Sequence, residues 1–453
     1  MSSTIGFYGG IGSVTGANFM LDTGELAVLV DCGLVQGDKF AKEINAEKFV
    51  YDPKKVDVLF LTHAHADHIG RVPKLVRDGF RGRIYSTLPT RELSEVMFDD
   101  AFYIMQYEAK RDNQEMMYSQ EDIELALSLW HVVGYHEAID LGDDVIATLT
   151  NAGHILGSAM VNFERHGKKV VFTGDIGNVP QPLVDRPEVP TGYDYMVMES
   201  VYGDRVHEEV EERTAILQHH IEETIRQSGT LIIPAFSLER TQGILFEINN
   251  MIESGRVPAI KTYLDSPLAI KVTDIYQHST AFLKPEVQDQ INGGDDIFSF
   301  EGLSFTETVK ESSQIDKFKG PKIIIAGSGM SHGGRIRGHE QEYLDDANTT
   351  LLLVGYQTVG SVGRLLQDGA KKVWIDKMEV KVKAKIATIR GFSGHADRNQ
   401  LIDLVHGGAE NAKQVFVTMG EERASLFLTQ RLRDYLGVNA ITPEPNAEVE
   451  IDF

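Results

Sequence analysis

Val56-Asp57-Val58-Leu59-Phe60-Leu61-Thr62-His63-Ala64-His65-Ala66-Asp67-His68-Ile69-Gly70 is an apolar run that breaks off into three histidines and a carboxylate. The short apolar piece from Val58 to Leu61 reads as a buried strand. His63 and His65 follow, two residues apart. In an extended segment, side chains i and i+2 point the same way, so both imidazoles can reach one metal ion. Asp67 and His68 come where the chain must turn, and they can address a second ion or a bound water. Ala64, Ala66 and Gly70 are small enough to let the loop pack against a metal centre. Imidazoles with a carboxylate are a donor set for divalent zinc.

Other donors follow apolar strands in the same way. Leu26 to Val30 runs into Asp31-Cys32-Gly33. Val145 to Leu149 leads to Asn151-Ala152-Gly153-His154, and Lys169 to Thr173 leads to Gly174-Asp175. Tyr195 to Met198 ends in Glu199-Ser200. Successive strand ends thus deliver Asp31, the histidine cluster, His154, Asp175 and Glu199. Strand ends feeding one face of a sheet can assemble a metal site from distant sequence.

The glycine-rich stretch Tyr8 to Gly16 lacks the Lys-Ser/Thr ending of a P-loop and the full dinucleotide fingerprint. It reads as a tight hairpin passing close to the active site. Residues 71–130 read as mostly helical, although Ile123, Leu125, Leu127 and Leu129 alternate with the spacing of a strand.

The 453 residues exceed one ordinary core, so two domains are expected. The net charge of −23 argues against a broad nonspecific nucleic-acid surface, but not against nucleic acid as a substrate. Cys32 is the single cysteine, which excludes a Cys-rich zinc site and an intrachain disulfide. It fits a reducing, cytoplasmic setting. No apolar stretch has bilayer-spanning length, and the start carries no export signal, so no membrane association is expected.

After Gly203 the character changes. Helical patterning from Glu208 to Gln227 alternates with Leu231 to Pro234, Tyr263-Leu264 and Ile323 to Ala326, as in a parallel α/β unit. These strand ends carry Phe236-Ser237-Leu238-Glu239-Arg240, Asp265-Ser266, Gly327-Ser328-Gly329 and Gly355-Tyr356-Gln357. Hydroxyls, glycines and arginines there suit phosphate contact, so Ser237, Arg240 and Ser328 are candidate substrate contacts. Arg335, Arg337 and Arg364 are weaker ones. Phe282 to Phe305 reads as a loop-rich excursion. A final strand region from Val380 to Ile389 leads to Phe392-Ser393-Gly394-His395-Ala396-Asp397, a helix and the strand Gln414 to Thr418. A closing helix runs from Ala424 to Tyr435.

Taken together, His63-Ala64-His65-Ala66-Asp67-His68, with Asp31, His154 and Asp175 in that order, resembles the metallo-β-lactamase fold. The later motifs resemble the β-CASP subfamily of nucleic-acid-processing metallohydrolases, in its single-unit bacterial and archaeal form. The resemblance implies an α/β chain: a four-layer αββα metallo-β-lactamase domain over 1–204 and 375–453, with a parallel-sheet β-CASP domain over 205–374 inserted. Substrate would enter between the two domains. His63, His65 and His154 would hold one Zn2+, Asp67 and His68 another, and Asp175 would bridge both. Asp31 would orient a ligand from behind. Glu199 and His395 would form an acid pair near the scissile phosphate, with His395 a candidate proton donor.

One position departs from that pattern. The RNA-processing members carry a histidine before the Gly-Glu that matches Gly420-Glu421, where it completes the second metal's ligands. Here that position is Met419, whose thioether suits zinc poorly. The expected activity is a zinc-dependent ribonuclease that cuts single-stranded RNA by a metal-activated water, with a weaker second zinc. Members acting on DNA carry an apolar residue there, so a DNA-processing nuclease is an alternative. A low-turnover nucleic-acid-binding protein is another. An acyl hydrolase is disfavoured, because the long insertion would serve no purpose for a small ester. A homodimer is possible.

Overall fold

The computed structural model describes residues 3–37, 40–207, 210–355, 357, 360–389 and 391–453. Glu208, expected to start a helix, and Tyr356 lie outside the described residues. The chain divides into two compact units: residues 1–181, 185–206 and 395–453 form one, and residues 182–184 and 207–394 the other.

In the first unit, two seven-stranded sheets form among the described residues. One runs in the order Glu448–Ile451, Ser3–Phe7, Phe19–Asp22, Ala27–Val30, Val58–Phe60, Arg83–Ser86, Trp130–Val132. The other runs Ala440–Ile441, Gln414–Val417, Tyr195–Met198, Lys168–Phe172, Ala159–Arg165, Val145–Asn151, Ile139–Gly142. Alternate residues of both sheets meet in one buried core that includes Phe7, Phe19, Phe60, Phe163, Phe172 and Phe416. Phe60 meets Phe163 edge-on at 5.4 Å, and Phe7 lies 5.0 Å from Phe416. Aromatic pairs at this separation add to the burial of their area. The outer face of the second sheet is covered by the helices Arg398–His406 and Glu422–Leu436, through Leu401, Leu404, Leu428 and Leu432. These are the αββα layers the resemblance implied. The last strand pairs with the first, Ile451 opposite Ser3, so the chain closes on its own beginning.

The parallel pairings place the site. Ala27–Val30 runs parallel to Val58–Phe60, and their ends deliver Asp31 and Thr62-His63. In the other sheet, Lys168–Phe172, Tyr195–Met198 and Gln414–Val417 are parallel neighbours. Their ends deliver Asp175, Glu199 and Met419. Side chains gathered beyond the carboxyl ends of parallel strands are where α/β proteins build sites.

The second unit holds a six-stranded parallel sheet in the order Leu303–Phe305, Lys261–Leu264, Lys322–Ala326, Thr230–Pro234, Thr349–Val354, Lys385–Ile389. Its central strands are buried end to end, as helices on both faces require.

Residues 120–128 form a helix, as expected for this region despite the alternation at Ile123 to Leu129, and Ser119 and Asp122 make a reciprocal capping box at its start. Two local expectations are corrected. The segment from Phe282 to Phe305 contains the helix Pro285–Asn292, with proline in its first turn, and the strand Leu303–Phe305. The return to the first unit comes at His395 rather than near 375, because Lys385–Ile389 pairs with Thr349–Val354 in the six-stranded sheet.

Candidate metal centre

His63 and His65 leave the strand Val58–Phe60 in extended chain, and the short helix Ala66–Ile69 follows at once. The i, i+2 geometry brings His63 Nε2 within 3.1 Å of His65 Nδ1. His154 Nε2 lies 3.1 Å from the same His65 Nδ1. Asp175 Oδ2 stands 3.5 Å from His63 Nε2 and 3.6 Å from His154 Nε2. A tetrahedral ion with bonds of about 2.0–2.1 Å has donor–donor edges of about 3.3–3.4 Å, so these four atoms fit a zinc-class ion. Burial, with His68 beside it, holds the His63 imidazole well below its usual range, hence neutral and able to donate a lone pair.

A second constellation adjoins the first. His68 Nδ1 lies 2.7 Å from Asp31 Oδ2, so the imidazole donates there and turns Nε2 toward Asp67 and Asp175. Nε2 is 3.3 Å from Asp175 Oδ1 and 3.9 Å from Asp67 Oδ2. Both His68 Nε2 and Asp175 Oδ1 are buried without a hydrogen-bond partner. A lone pair facing a carboxylate oxygen is repulsive unless a cation lies between them. Asp175 thus turns Oδ2 to His63 and His154 and Oδ1 to His68, so that one carboxylate faces both groups of donors.

The electrostatics carry the same sign. Burial opposes charge on Asp175, but His68 and His395 outweigh it and hold the carboxyl well below the usual range. Burial pushes Asp67 up to about 6. On His68, burial favours the neutral ring, but Asp175 and Asp31 overcome it and hold the imidazole well above its usual value.

Asp31, expected among the catalytic residues, acts through others. It accepts from Thr62 N and Thr62 Oγ1, both at 2.8 Å, besides His68. Its φ of 62° is unusual for aspartate, and these bonds hold it there. Thr62 Oγ1 also sits 3.1 Å from His63 Nδ1, which orients that ring. In the sequence nothing singles Thr62 out except that it precedes His63. Gly33 lets the loops close: a Cβ there would lie 1.5 Å from the Asp67 carbonyl oxygen.

Glu199 and His395 adjoin the metal-ligand set. His395 Nδ1 is 3.3 Å from Glu199 Oε1 and 3.8 Å from Asp175 Oδ2. Glu199 is fixed by Ile176 N at 2.7 Å and Val201 N at 3.2 Å. Burial disfavours charge on His395, but Glu199 and Asp175 raise it to about 9. The ring lies 4.7 Å from that of His154, tilted by 43°, and keeps a quarter of its side chain accessible (25%).

Met419 lines a small cavity together with Asp31, His68 and Glu199. It is 2% exposed and belongs to the inter-sheet core. The glycine hairpin does approach this point: Met419 N donates to the Gly10 carbonyl at 2.6 Å. Gly10 has φ +68°, and a Cβ there would lie 2.3 Å from Met419 Sδ.

The phosphate-contact candidates fall in the second unit. Ser237 Oγ lies 3.3 Å from Ser266 Oγ, and Ser328 Oγ accepts from His332 N and Gly333 N. Arg240 is 8% exposed; its Nε and Nη1 have no hydrogen-bond partner, and Nε stands 3.4 Å from Glu239 Oε2 in an ion pair. The weaker arginines are committed elsewhere. Arg335 binds the buried Asp265 at 2.7 Å, Arg337 pairs with Asp376 and Arg364 with Asp368.

Comparison with known proteins agrees with this geometry. Residues 20–181 match the metallo-beta-lactamase superfamily domain and residues 241–366 the Beta-Casp domain. Residues 379–443 match the Zn-dependent metallo-hydrolase RNA specificity domain. A ribonuclease of Thermus thermophilus is 36% identical over 425 residues, covering 94% of this chain and 95% of that protein. An RNase J-like protein of Methanocaldococcus jannaschii is 30% identical, with 96% and 97% covered. A transcription termination factor of Methanosarcina mazei is 30% identical, with 93% of this chain and 67% of that protein covered. A crystal structure of a protein of unknown function from Enterococcus faecalis V583 shares the fold, with TM-score 0.58, 13% identity and both chains fully covered. The chain belongs to the β-CASP family of metallo-β-lactamase-fold, metal-dependent hydrolases.

Proposed function

We propose that this chain is a two-zinc ribonuclease acting on single-stranded RNA in the cytoplasm. The observation that carries the proposal is the Asp175 carboxylate, with one oxygen toward His63 and His154 and the other, unpaired, toward His68 Nε2. His63, His65, His154 and Asp175 would hold the first ion, and Asp67, His68 and Asp175 the second. Zinc, when bound, supplies a nucleophile derived from water at neutral pH and stabilises charge on the phosphate oxygens.

The chain's own groups do the rest. Asp31 and Thr62 fix the rings of His68 and His63. Asp67, next to His68, is the carboxylate placed to take a proton as the phosphorus–oxygen bond forms. His395, held by Glu199, donates a proton to the departing oxygen. A histidine raised to about 9 is protonated at neutral pH, as a general acid must be. Ser237, Arg240 and Ser328 would contact backbone phosphates. Arg240 supports this role best, because its buried guanidinium keeps Nη1 without a hydrogen-bond partner, although Glu239 stands 3.4 Å from Nε.

Met419 leaves the second ion with fewer protein donors than the first. That favours unequal affinities and keeps a low-turnover nucleic-acid-binding protein as the second reading. Cleavage of labelled single-stranded RNA, dependent on metal and lost in Asp67→Ala, tests the proposal.

A further inference from the structure

In the second unit, the helix Val210–Gln227 carries His219, His220 and Glu223 at positions i, i+1 and i+4. Their ligand atoms all lie within 4.8 Å of one another. The hub is Glu223 Oε2, which stands 3.6 Å from His220 Nδ1 and 3.9 Å from His219 Nε2. Lys385, on the edge strand Lys385–Ile389, reaches the same oxygen at 2.6 Å. Glu223 Oε1 is 3.9 Å from Arg226 and accepts from Gln227 at 3.3 Å.

A surface ion pair accounts for Lys385 and Glu223. It does not account for His220. That side chain is 6% exposed, and its Nδ1 is buried with no hydrogen-bond partner. At 3.6 Å the nitrogen is beyond hydrogen-bond reach of the carboxylate, and its ring centre stands 5.3 Å from that of His219. A buried, unpaired imidazole nitrogen is costly unless something partners it.

We infer that His219, His220 and Glu223 form a third metal site, separate from the catalytic centre, for a zinc-class divalent ion. Two imidazoles and one carboxylate match zinc, nickel or copper rather than magnesium or calcium. The two imidazole–carboxylate separations exceed the tetrahedral edge of about 3.3–3.4 Å by a few tenths of an ångström, and all three donors lie within 4.8 Å of one another, within the reach of side-chain rotations. Burial and the nearby Lys385 cation push the His220 imidazole below its usual value, which keeps its lone pair available. Lys385 is the competitor: its ammonium holds the carboxylate oxygen that the ion would take.

The test uses the full chain loaded with zinc at its catalytic centre, desalted, then titrated calorimetrically with further Zn2+ alone. Wild type takes up one additional equivalent. His220→Ala and His219→Ala lose it; His219 is 60% exposed, so its removal does not threaten folding. Lys385→Met tightens the additional site by about fivefold, the weight of a part-exposed ion pair. Misfolding cannot mimic that gain. No additional equivalent in wild type, or the same equivalent in both histidine variants, overturns the site. An unchanged affinity in Lys385→Met overturns the competition.

Discussion

Asp31 Oδ2 and His68 Nδ1 lie 2.7 Å apart, and this one bond fixes which nitrogen His68 turns toward Asp67 and Asp175. Replacing the acceptor frees the ring and its tautomer. Asp31→Asn should therefore weaken the second ion by about 10–100-fold while leaving the first near wild type. Zinc content after dialysis against graded chelator measures both. Equal loss of both ions would place Asp31 in the fold rather than behind His68.

Met419 occupies the place where the RNA-processing relatives are expected to carry a histidine. Its side chain lines the cavity shared with His68. Met419→His should tighten the second ion, read as a higher chelator concentration for half-loss. Gly10 leaves little room, so the gain shows only if the imidazole rotates out of the core toward His68. An unchanged affinity would mean that this position does not face the ion.

Glu199 sets the titration of His395. Burial lowers the imidazole, and Glu199 with Asp175 raises it to about 9. The donor form therefore persists up to that pH and is lost above it. Bound cations shift the limb downward without changing the sign of Glu199's contribution. Glu199→Gln should move the basic limb of kcat to lower pH by about 1 unit or more. A limb that does not move would remove His395 from the proton-donor role.

Asp265 is the structural counterpart in the second unit. It is fully buried, and burial alone would raise its pKa. His339, Ser312, Thr306 and Arg335 all donate to it and hold it well below the usual range. The folded-state pKa is depressed. The network's stability is therefore present above the ordinary carboxylate value and is lost as pH falls through the folded value. Asp265→Ala removes the buried acceptor shared by Arg335 and His339 and should cost about 3–5 kcal/mol, read from the urea midpoint at pH 7. A loss under about 1 kcal/mol would show the network to be dispensable.

The candidate metal ligands are legible because their chemistry is local. His63 and His65 are two apart on extended chain, and each later donor follows an apolar strand. Asp31, Asp175 and Glu199 could be named from strand ends, since parallel neighbours deliver their ends to one edge; His154 follows a strand too, but one with antiparallel neighbours. Partner choice was less visible. Thr62 looks like any strand-end residue until its hydroxyl is seen between Asp31 and His63. Arg335 looked available for phosphate, but a carboxylate seventy positions away in sequence claims it. The alternation at Ile123 to Leu129 left the helix there weakly marked in sequence, and a capping box at Ser119 and Asp122 supports it. The unpaired Nδ1 of His220 leaves no trace in sequence, because burial is a property of the packed helix.

The most direct test of the central claim is cleavage of labelled single-stranded RNA and single-stranded DNA of matched sequence by zinc-loaded protein. Asp67→Ala and a chelated sample serve as controls. The arrangement around Asp175 predicts that wild type cuts RNA and that both controls lose the activity. Binding of RNA without cleavage by wild type, cleavage confined to DNA, or undiminished cleavage by Asp67→Ala would contradict it.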